Sequence, residues 1–340
     1  MRGLVFPGLN QMEIREFPDP KPGPGQVVVD IKCAGLCGSD LHNLQNPNLP
    51  GRDIIMGHEG AGIVSEVGDG VTLVKVGDRV AIYHILSCGI CKHCMSGYSQ
   101  LCTVDRRAIA GKEHGTDADK ILVKEANCLP LPDDISFAVG VSIGCFAGTS
   151  FSAMKKLYPN GLNTVAVFGL GPVGLAGVQF AAAMGARVIG IDNIPERLEL
   201  AKELGADSVI DFTKADTVQT LREITNGIGP DRIYETSGSM QAQKDAIAVC
   251  AVSGIICLVG YGARAPKVDP PSLYSIIGRE VTIMGSSINP RQYHYEIINF
   301  IRAKDIDLEK MITHRFPFEK IEEAMRLFES GKTGKVVVDL

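Results

Sequence analysis

The hydrophobic pattern divides the chain into two kinds of sequence. From the N-terminus to about residue 145, short apolar runs alternate with Gly and Pro, for example at residues 26–32, 60–68 and 77–83. Many short strands joined by Gly-rich turns are typical of a compact, mostly β domain. We therefore predict such a domain in the first part of the chain.

A different pattern begins near Asn163. Residues 164–168 form a fully apolar run, which is typical of a parallel strand buried on both faces. Similar runs follow, with mainly helical connections, at residues 187–191, 208–210, 232–234, 255–259 and 281–284. The pattern predicts a doubly wound parallel sheet of six strands.

The chain changes character again past about residue 289. Ile321, Ala324, Met325 and Phe328 have the spacing of one helical face, and residues 334–340 form a strand-like run. One helix and one strand cannot bury a core alone, so we expect this tail to rejoin the N-terminal β domain. The predicted fold class is α/β, with a mostly β domain and a six-stranded parallel sheet.

Composition and charge exclude several classes of protein. Hydrophobic residues make up 45% of the 340 residues and charged residues 21%, which excludes wholesale disorder. The net charge of −5 does not indicate a strongly basic surface for binding a nucleic-acid backbone. No apolar run approaches the roughly 18 residues of a membrane span, and the apolar part of the first seven residues is too short for a secretory signal. We expect a cytoplasmic protein without nucleic-acid or membrane partners.

A glycine motif follows the first strand of the predicted sheet. The sequence from Gly169 to Gly174 has the pattern G-x-G-x-x-G between an apolar strand and an Ala-rich helix, and Asp192 ends the next strand. This context predicts a dinucleotide site, with the pyrophosphate at the helix N-terminus and Asp192 at the adenosine ribose. A glycine turn in an unliganded domain is the alternative. Asp192 favours NAD because it repels a 2′-phosphate, while Arg197 leaves NADP open. The predicted cofactor contacts are Gly169, Gly171, Pro172, Val173, Gly174, Asp192, Arg197 and Val259.

Four of the ten cysteines form a second motif. Cys88, Cys91, Cys94 and Cys102 have the spacing C-x2-C-x2-C-x7-C, which predicts a closed tetrahedral zinc site with a structural role. A ferredoxin cluster ends in x3-C-P and does not fit. A nucleic-acid or protein-binding lobe is the other alternative, but the neighbourhood holds few basic residues, namely Lys92, Arg106 and Arg107.

A third group of residues is spread along the chain. Cys37, His58 and Cys145 could each be structural, but their presence together beside a nucleotide fold argues for a second metal site. With these motifs the chain resembles the zinc-containing medium-chain dehydrogenases/reductases, the group of alcohol, sorbitol and threonine dehydrogenases. The resemblance covers the whole chain and includes, in order, G-x-C-G-S-D-x-H at 35–42, G-H-E at 57–59, G-D-R-V at 77–80, the four-Cys lobe and the glycine motif.

The resemblance implies an architecture and a reaction site. A GroES-like catalytic domain would comprise residues 1–148 and 289–340, and a Rossmann NAD-binding domain residues 149–288, with the reaction in the cleft between them. By the same resemblance two zinc ions bind per chain, one structural and one catalytic. The implied ligands of the catalytic zinc are Cys37 and His58, with Cys145 favoured over Glu59 as the third. Glu59 would otherwise lie behind the metal or exchange with water as a ligand, and Asp40 would orient the histidine.

The resemblance also implies an activity. Zinc would polarise the oxygen of an alcohol that gives a hydride to NAD, the reverse reaction reducing a ketone. Ser39 and His42 would form a proton relay to solvent, and Lys335 would reach the cofactor phosphates. The residues in these motifs favour secondary alcohols of the polyol, diol or amino alcohol kind as substrates. Simple alcohols, or a cofactor-binding scaffold without catalysis, are the alternatives.

Three further expectations come from the same resemblance. Tyr83, His84 and His114 would lie near the substrate cleft, where His84 could bind a second hydroxyl group. The last strand of the nucleotide domain, at 281–285, would pair two subunits in a homodimer or homotetramer. Residues 115–119 depart from the usual aromatic-containing run, and the sequence offers no functional account of that change.

Overall fold

The structure is a computed structural model that describes residues 1–48, 53–260 and 273–340. Within these ranges the strands are β1 Arg2–Val5, β2 Glu13–Glu16, β3 Gln26–Gly35, β4 Glu59–Val67, β5 Arg79–Ile82, β6 Ile85–Leu86, β7 Arg107–Ala108, β8 Lys120–Lys124, β9 Cys128–Pro130, β10 Thr164–Phe168, β11 Arg187–Asp192, β12 Ser208–Asp211, β13 Arg232–Glu235, β14 Ile255–Leu258, β15 Thr282–Gly285, β16 Ile312–Pro317 and β17 Lys335–Asp339. The α-helices are α1 Gly38–Leu44, α2 Lys92–Met95, α3 Phe137–Gly144, α4 Phe146–Leu157, α5 Pro172–Ala183, α6 Pro195–Glu203, α7 Thr217–Ile224, α8 Met240–Val249, α9 Leu273–Ile277, α10 Tyr293–Ala303 and α11 Ile321–Glu329.

The strands β10 to β15 form one parallel sheet in the order β12-β11-β10-β13-β14-β15. All six lie where the apolar runs predict strands, because strands covered on both faces need apolar side chains throughout. In β10, for example, Val165, Ala166 and Val167 are fully buried. The Rossmann-type doubly wound sheet is confirmed. Its strand order reverses between β10 and β13, which opens a crevice at the carboxyl ends of these strands.

The second large sheet has the order β16-β17-β3-β4-β5-β9, with β8 also paired to β3. Strand β17 is antiparallel to β3, with Val337 opposite Gly35, so the C-terminal tail rejoins the N-terminal β domain as predicted. The apolar face of α11 is buried in the same core as Leu4 and Phe6. The GroES-like domain is therefore assembled from both ends of the chain.

The strands of the two large sheets fall on either side of residues 149 and 288. This supports the division into 1–148 with 289–340 and 149–288, which stays a prediction. Helices α3 and α4 meet at an angle of 48° with Cys145 between them. In the described part of the chain no single helix is long and apolar enough to cross a membrane; these two reach that length only as a bent pair, and most of their residues are buried.

Candidate active site

One continuous cleft of about 1380 Å³ brings together most of the residues that the sequence singled out. The predicted cofactor residues that line it are Gly169, Gly171, Pro172, Val173, Gly174, Asp192, Arg197 and Val259. The predicted reaction-site residues that line it are Cys37, Ser39, Asp40, His42, His58 and Cys145. The fold therefore joins a dinucleotide loop and a group of metal-ligating side chains in one cavity.

The glycine loop connects β10 to α5, and each of its three glycines has a different steric role. Gly169 has φ of +87°, a backbone conformation that favours glycine. A Cβ on Gly174 would lie 1.9 Å from the carbonyl oxygen of Gly169, whereas a Cβ on Gly171 would meet no protein atom within 4 Å. Gly171 therefore leaves open space for a ligand directly at the N-terminus of α5. No side chain caps that terminus, so its first-turn N–H groups can receive a pyrophosphate.

Asp192 lies at the end of β11, beside this loop. One oxygen of its carboxylate accepts a hydrogen bond from the backbone N–H of Leu170 at 2.6 Å, and the other accepts from the backbone N–H of Asn193 at 2.7 Å. The carboxylate is therefore fixed in position while it lines the cleft. Arg197, also in the cleft wall, donates its Nε to the carbonyl of Thr333 at 3.2 Å. This arrangement fits the adenosine end of a dinucleotide.

Cys37, His58, Glu59 and Cys145 come from three separate parts of the fold. Cys37 is the N-cap of α1, His58 and Glu59 lie at the start of β4, and Cys145 joins α3 to α4. One ligand atom from each of the four lies within 4.8 Å of all the others. The Sγ of Cys145 is 3.7 Å from Nε2 of His58. A tetrahedral zinc with bonds of about 2.3 Å to sulfur and about 2.05 Å to nitrogen would set them roughly 3.6 Å apart, so the donor set fits zinc.

Asp40 holds two of these ligands in place. One oxygen of its buried carboxylate is 3.2 Å from Nδ1 of His58, and the other accepts a hydrogen bond from the backbone N–H of Cys37 at 2.9 Å. The first contact turns Nε2 of the imidazole toward Cys145. A carboxylate bonded to the non-ligating nitrogen of a histidine is the usual support for a metal-bound imidazole.

The charges in this cluster depend on one another. A hydrogen bond from Cys145 lowers the pKa of the Cys37 thiol well below its ordinary value, and the same contact raises that of Cys145. Burial alone would lower the pKa of His58, but the charges of Asp40 and Cys37 raise it well above its ordinary value. Because thiol and imidazole ligands must be deprotonated to bind a metal, binding of a cation would release protons from this cluster.

The four cysteines of the lobe at residues 88–102 form a second cluster. The Sγ atoms of Cys88, Cys91, Cys94 and Cys102 are separated by 3.5 to 4.0 Å in the four pairs that make contact. A zinc ion bound to four sulfurs at about 2.3 Å gives sulfur–sulfur separations of about 3.8 Å. Hydrogen bonds from the backbone at Cys94 and Thr103 lower the pKa of Cys91 to about 6. The geometry fits a structural zinc with all four positions filled.

Comparison with known proteins decides the family. Residues 23–133 match the alcohol dehydrogenase GroES-like domain, and residues 172–303 match the zinc-binding dehydrogenase family. The D-arabitol-phosphate dehydrogenase of Enterococcus avium is 33% identical over 98% of this chain and 95% of its own length. The sorbitol dehydrogenase of Halalkalibacterium halodurans is 31% identical over 97% of this chain and 96% of its own. The solved alcohol dehydrogenase of Thermus sp. ATN1 superposes with a TM-score of 0.92 at 28% identity, covering 100% of this chain and 99% of that one.

The chain belongs to the zinc-containing medium-chain dehydrogenases/reductases. It is an oxidoreductase of the zinc-type alcohol and polyol dehydrogenase class, with small-molecule alcohols as substrates. The resemblance predicted from the sequence motifs is thus confirmed.

Lys335 lies elsewhere than the resemblance to this dehydrogenase family implied. Its ammonium group is fully buried, where it donates to the carbonyl oxygen of Leu36 at 2.6 Å and forms an ion pair with Oε2 of Glu59. Gly35 makes room for this pair, since a Cβ there would lie 2.4 Å from Oε2 of Glu59. The prediction that Lys335 binds the cofactor phosphates is therefore wrong. The buried ammonium is used inside the protein and does not line the cleft.

Glu59 is held between this lysine and the metal ligands. Burial raises its pKa to about 7, and the charge of Lys335 opposes that rise. Its second oxygen, Oε1, is buried and has no hydrogen-bond partner among the described residues. An orphaned carboxylate oxygen at a cluster of metal-ligating atoms is suited to a cation. Glu59 can therefore serve as a ligand from the side opposite the cleft, in addition to Cys37, His58 and Cys145.

Ser39 and His42 lie on α1 at the i and i+3 positions, and both are exposed in the cleft. The Oγ of Ser39 is 3.5 Å from Nε2 of His58, so the hydroxyl is beside the metal ligands. Residues three apart on a helix are neighbours on its surface. The positions agree with a route from the metal site to solvent, and the relay itself stays a prediction.

Of the three aromatic residues expected near the substrate, His84 alone lines the cleft. Its ring centroid is 5.1 Å from that of His58, and burial lowers its pKa to about 3, so it is neutral at pH 7. The hydroxyl of Tyr83 instead donates to the carbonyl of Asn289, and Nδ1 of His114 accepts from the backbone N–H of Ile55. Tyr83 and His114 do not line the cleft, because both side chains are bonded within the β domain, although the ring centroid of Tyr83 is 6.1 Å from that of His84.

The sequence reasoning missed two residues. Asp117, in the departing segment 115–119, is fully buried with its carboxyl group against Gly57, and burial raises its pKa well above the ordinary value. Arg106 lines the cleft, although the sequence suggested only a basic residue near the four-Cys lobe. The departure at 115–119 was the only sequence feature that pointed to Asp117, and nothing in the sequence separated Arg106 from Arg107.

Proposed function

We propose that this chain is an NAD-dependent zinc dehydrogenase of secondary alcohols, with polyols, diols or amino alcohols as favoured substrates. One observation carries the proposal. The same cleft is lined at one place by the glycine loop and Asp192 and at another by Cys37, His58 and Cys145. A single cavity that can take a dinucleotide and a metal-bound substrate is what hydride transfer requires.

The residues of the chain would divide the work as follows. Cys37, His58 and Cys145 would hold a zinc ion, and all three side chains line the cleft. When bound, zinc supplies Lewis acidity at the substrate oxygen and nicotinamide supplies a hydride acceptor. The Oγ of Ser39 accepts the proton of the substrate hydroxyl and passes it to the exposed imidazole of His42.

The choice of NAD is supported by the position of Asp192. Its carboxylate faces the cleft and is fixed by backbone hydrogen bonds, so it cannot turn away from a ribose. A ribose with two free hydroxyl groups can donate to it, whereas a 2′-phosphate would be repelled. Arg197 is the group that could favour NADP, and its Nε is already used by the carbonyl of Thr333.

The preference for a substrate with more than one hydroxyl group is supported by His84. The imidazole of His84 lies beside that of His58, and burial lowers its pKa to about 3, so it is neutral at pH 7. Its Nδ1 has no partner among the described residues. An unpaired nitrogen at this place is suited to a second hydroxyl of the substrate, because a buried polar atom without a partner is costly.

The test is a substrate screen on zinc-loaded protein that follows the absorbance of reduced nicotinamide. Polyols, diols and amino alcohols are compared with simple alcohols, each with NAD and with NADP. Replacing Cys37 by Ala should abolish turnover and lower the zinc content from two ions per chain to one. Cys33→Ala is the matched control, because Cys33 is a buried cysteine on β3 outside both clusters.

Three results bear on the proposal. Turnover of polyols with NAD that is lost in Cys37→Ala and kept in Cys33→Ala supports it. Equal turnover of simple alcohols contradicts the substrate preference. Full zinc loading and NAD binding without turnover of any alcohol refutes the activity and favours a scaffold.

A further inference from the structure

The cleft contains an arginine that forms no ion pair within the described residues. Arg106 lines the cleft near His84 and Ile109, and its side chain is exposed there. Its Nε donates to the carbonyl oxygen of Gln100 at 2.6 Å, which fixes the direction of the side chain. The two Nη groups make no hydrogen bond to the part of the protein that the structure describes, so they are available to a ligand.

Arg107, the next residue in the chain, has the same side chain but different contacts. Arg107 donates to both carboxylate oxygens of Asp105, at 2.7 and 3.0 Å, and also pairs with Glu113. It does not line the cleft. The two arginines are neighbours in the sequence and carry the same charge, but within the described residues Arg107 has counter-ions and Arg106 has none.

Arg106 belongs to the metal end of the cleft. The loop that follows it is tied to this end, since the backbone N–H of Ile109 donates to the carbonyl of His84 at 3.0 Å. Burial lowers the pKa of His84, and the charge of Arg106 acts in the same direction, so the guanidinium is near His84, which in turn lies beside His58. The glycine loop, where a cofactor pyrophosphate would bind, starts from the other domain at the end of β10.

The carboxylates in the cleft wall do not neutralise this arginine. Asp40 is bonded to His58 and Cys37, and Glu329 accepts a hydrogen bond from Nε2 of Gln45 at 2.6 Å. The remaining carboxylates, those of Asp192, Asp216 and Asp245, come from the nucleotide domain. A planar guanidinium with two free Nη groups matches the oxygens of a phosphate or carboxylate group in a bidentate contact. A neutral polyol offers no such partner.

We propose that Arg106 binds an anionic group of the substrate, so that the preferred alcohol carries a phosphate ester or a carboxylate at the end remote from the reacting carbon. This inference rests on the proposed function, because it names the substrate class of the same cleft. The shared chemistry is an oxyanion at a fixed distance from the metal site. Parallel assays with a phosphate ester and with a sugar acid show which of the two anionic groups is preferred.

The experiment compares sorbitol with sorbitol 6-phosphate and with gluconate on wild-type protein, Arg106→Ala and Arg107→Ala. The two variants each lose one positive charge, at adjacent positions of the chain, so a difference between them excludes a general effect of net charge. We expect Arg106→Ala to raise KM for the preferred anionic substrate about 10- to 100-fold, with little change for sorbitol. Arg107→Ala should leave the ratio of the two substrates unchanged, and Arg106→Lys should restore part of the lost affinity.

A binding measurement keeps the inference separate from the activity. Inorganic phosphate is titrated by calorimetry into protein saturated with NAD, so that the pyrophosphate site is already filled. Weaker phosphate binding in Arg106→Ala alone supports the inference even if no alcohol is turned over, in which case the proposed function fails by itself. Preference for neutral sorbitol in the wild type, or equal losses in Arg106→Ala and Arg107→Ala, overturns it.

Discussion

Asp40 is the residue whose replacement should most directly test how the chain holds its catalytic metal. Its carboxylate is 1% exposed and accepts two hydrogen bonds, from the backbone N–H of Cys37 at 2.9 Å and from Nδ1 of His58 at 3.2 Å. In Asp40→Asn the side chain keeps its shape but has one acceptor oxygen for these two donors. Whichever way the amide turns, its NH2 group faces one N–H, and water cannot reach the site to replace the lost bond.

The size of the effect follows from these contacts. Leaving a buried donor unpaired costs about 1–3 kcal/mol, and the lost charge removes a partner that favours the ligating form of the imidazole. Loss of such an outer support lowers metal affinity about 10- to 100-fold, which corresponds to about 1.4–2.7 kcal/mol. We therefore expect Asp40→Asn to bind its catalytic zinc about 10- to 100-fold more weakly, while the structural zinc is unaffected.

The assay is competition with a fluorescent zinc chelator, which resolves the two ions by their different affinities. Asp307→Asn is the matched control, because Asp307 caps a short helical turn by accepting from the backbone N–H of Glu309 at 3.0 Å, away from both clusters. Circular dichroism shows whether the variants are folded. A folded Asp40→Asn protein with unchanged affinity for both ions, or with both ions weakened equally, would refute the role assigned to Asp40.

Three further predictions concern the other parts of the site. Gly174→Ala should lower the free energy of unfolding by about 1–3 kcal/mol and weaken NAD binding, because its Cβ would lie 1.9 Å from the carbonyl oxygen of Gly169. Gly171→Ala should weaken NAD binding alone. Denaturant unfolding measures the stability of both variants, and cofactor titration measures their NAD binding. Cys94→Ser should release the structural zinc while the catalytic zinc is retained, which metal analysis measures. It should also lower Tm by about 5 °C, which corresponds to a loss of folding stability on the order of 2 kcal/mol and is measured by calorimetry. Asp192→Asn should reduce the preference for NAD over NADP at least about 10-fold in kcat/KM, because the charge that repels a 2′-phosphate is gone.

Each of these predictions has a control and a contradicting result. If the two glycine variants lost equal stability, the close approach of the Gly174 Cβ to the carbonyl of Gly169 would not be the cause of the loss. For the zinc lobe, Cys128→Ala removes a buried cysteine outside both clusters, and loss of both ions in Cys94→Ser would contradict independent sites. For the cofactor, Asp211→Asn changes the residue opposite Asp192 on the neighbouring strand β12. An unchanged ratio of NAD to NADP in Asp192→Asn would show that this carboxylate does not select the cofactor.

Much of the fold follows from local features of the sequence. The six strands of the parallel sheet coincide with apolar runs, because a strand covered on both faces has no polar side to interrupt the run. The glycine loop is fixed by short-range steric demands, and the four cysteines of the lobe lie within fifteen positions of one another. Patterns of this kind depend on neighbours along the chain, so they can be interpreted without the tertiary structure.

The error at Lys335 shows where such an interpretation fails. A lysine at the start of a terminal strand offers no local sign of burial, and the resemblance placed it at the cofactor. Its ammonium is buried because β17 pairs with β3 and brings it against Glu59, in space that Gly35 leaves free. Neither the partner strand nor the ion pair can be inferred from residues 334–340 alone.

The sequence by itself determined the two kinds of domain, the dinucleotide motif, the four-cysteine lobe and the identity of the candidate metal ligands. The tertiary structure alone decided that Cys37, His58 and Cys145 meet in the cleft that contains the glycine loop, although 87 positions separate His58 from Cys145. It alone distinguished Arg106, which lines the cleft and has no counter-ion in the described part of the chain, from Arg107, which is neutralised by Asp105 and Glu113. The physical reason is that side-chain chemistry is a property of each residue, whereas burial, pairing and distance arise only when remote segments of the chain pack together.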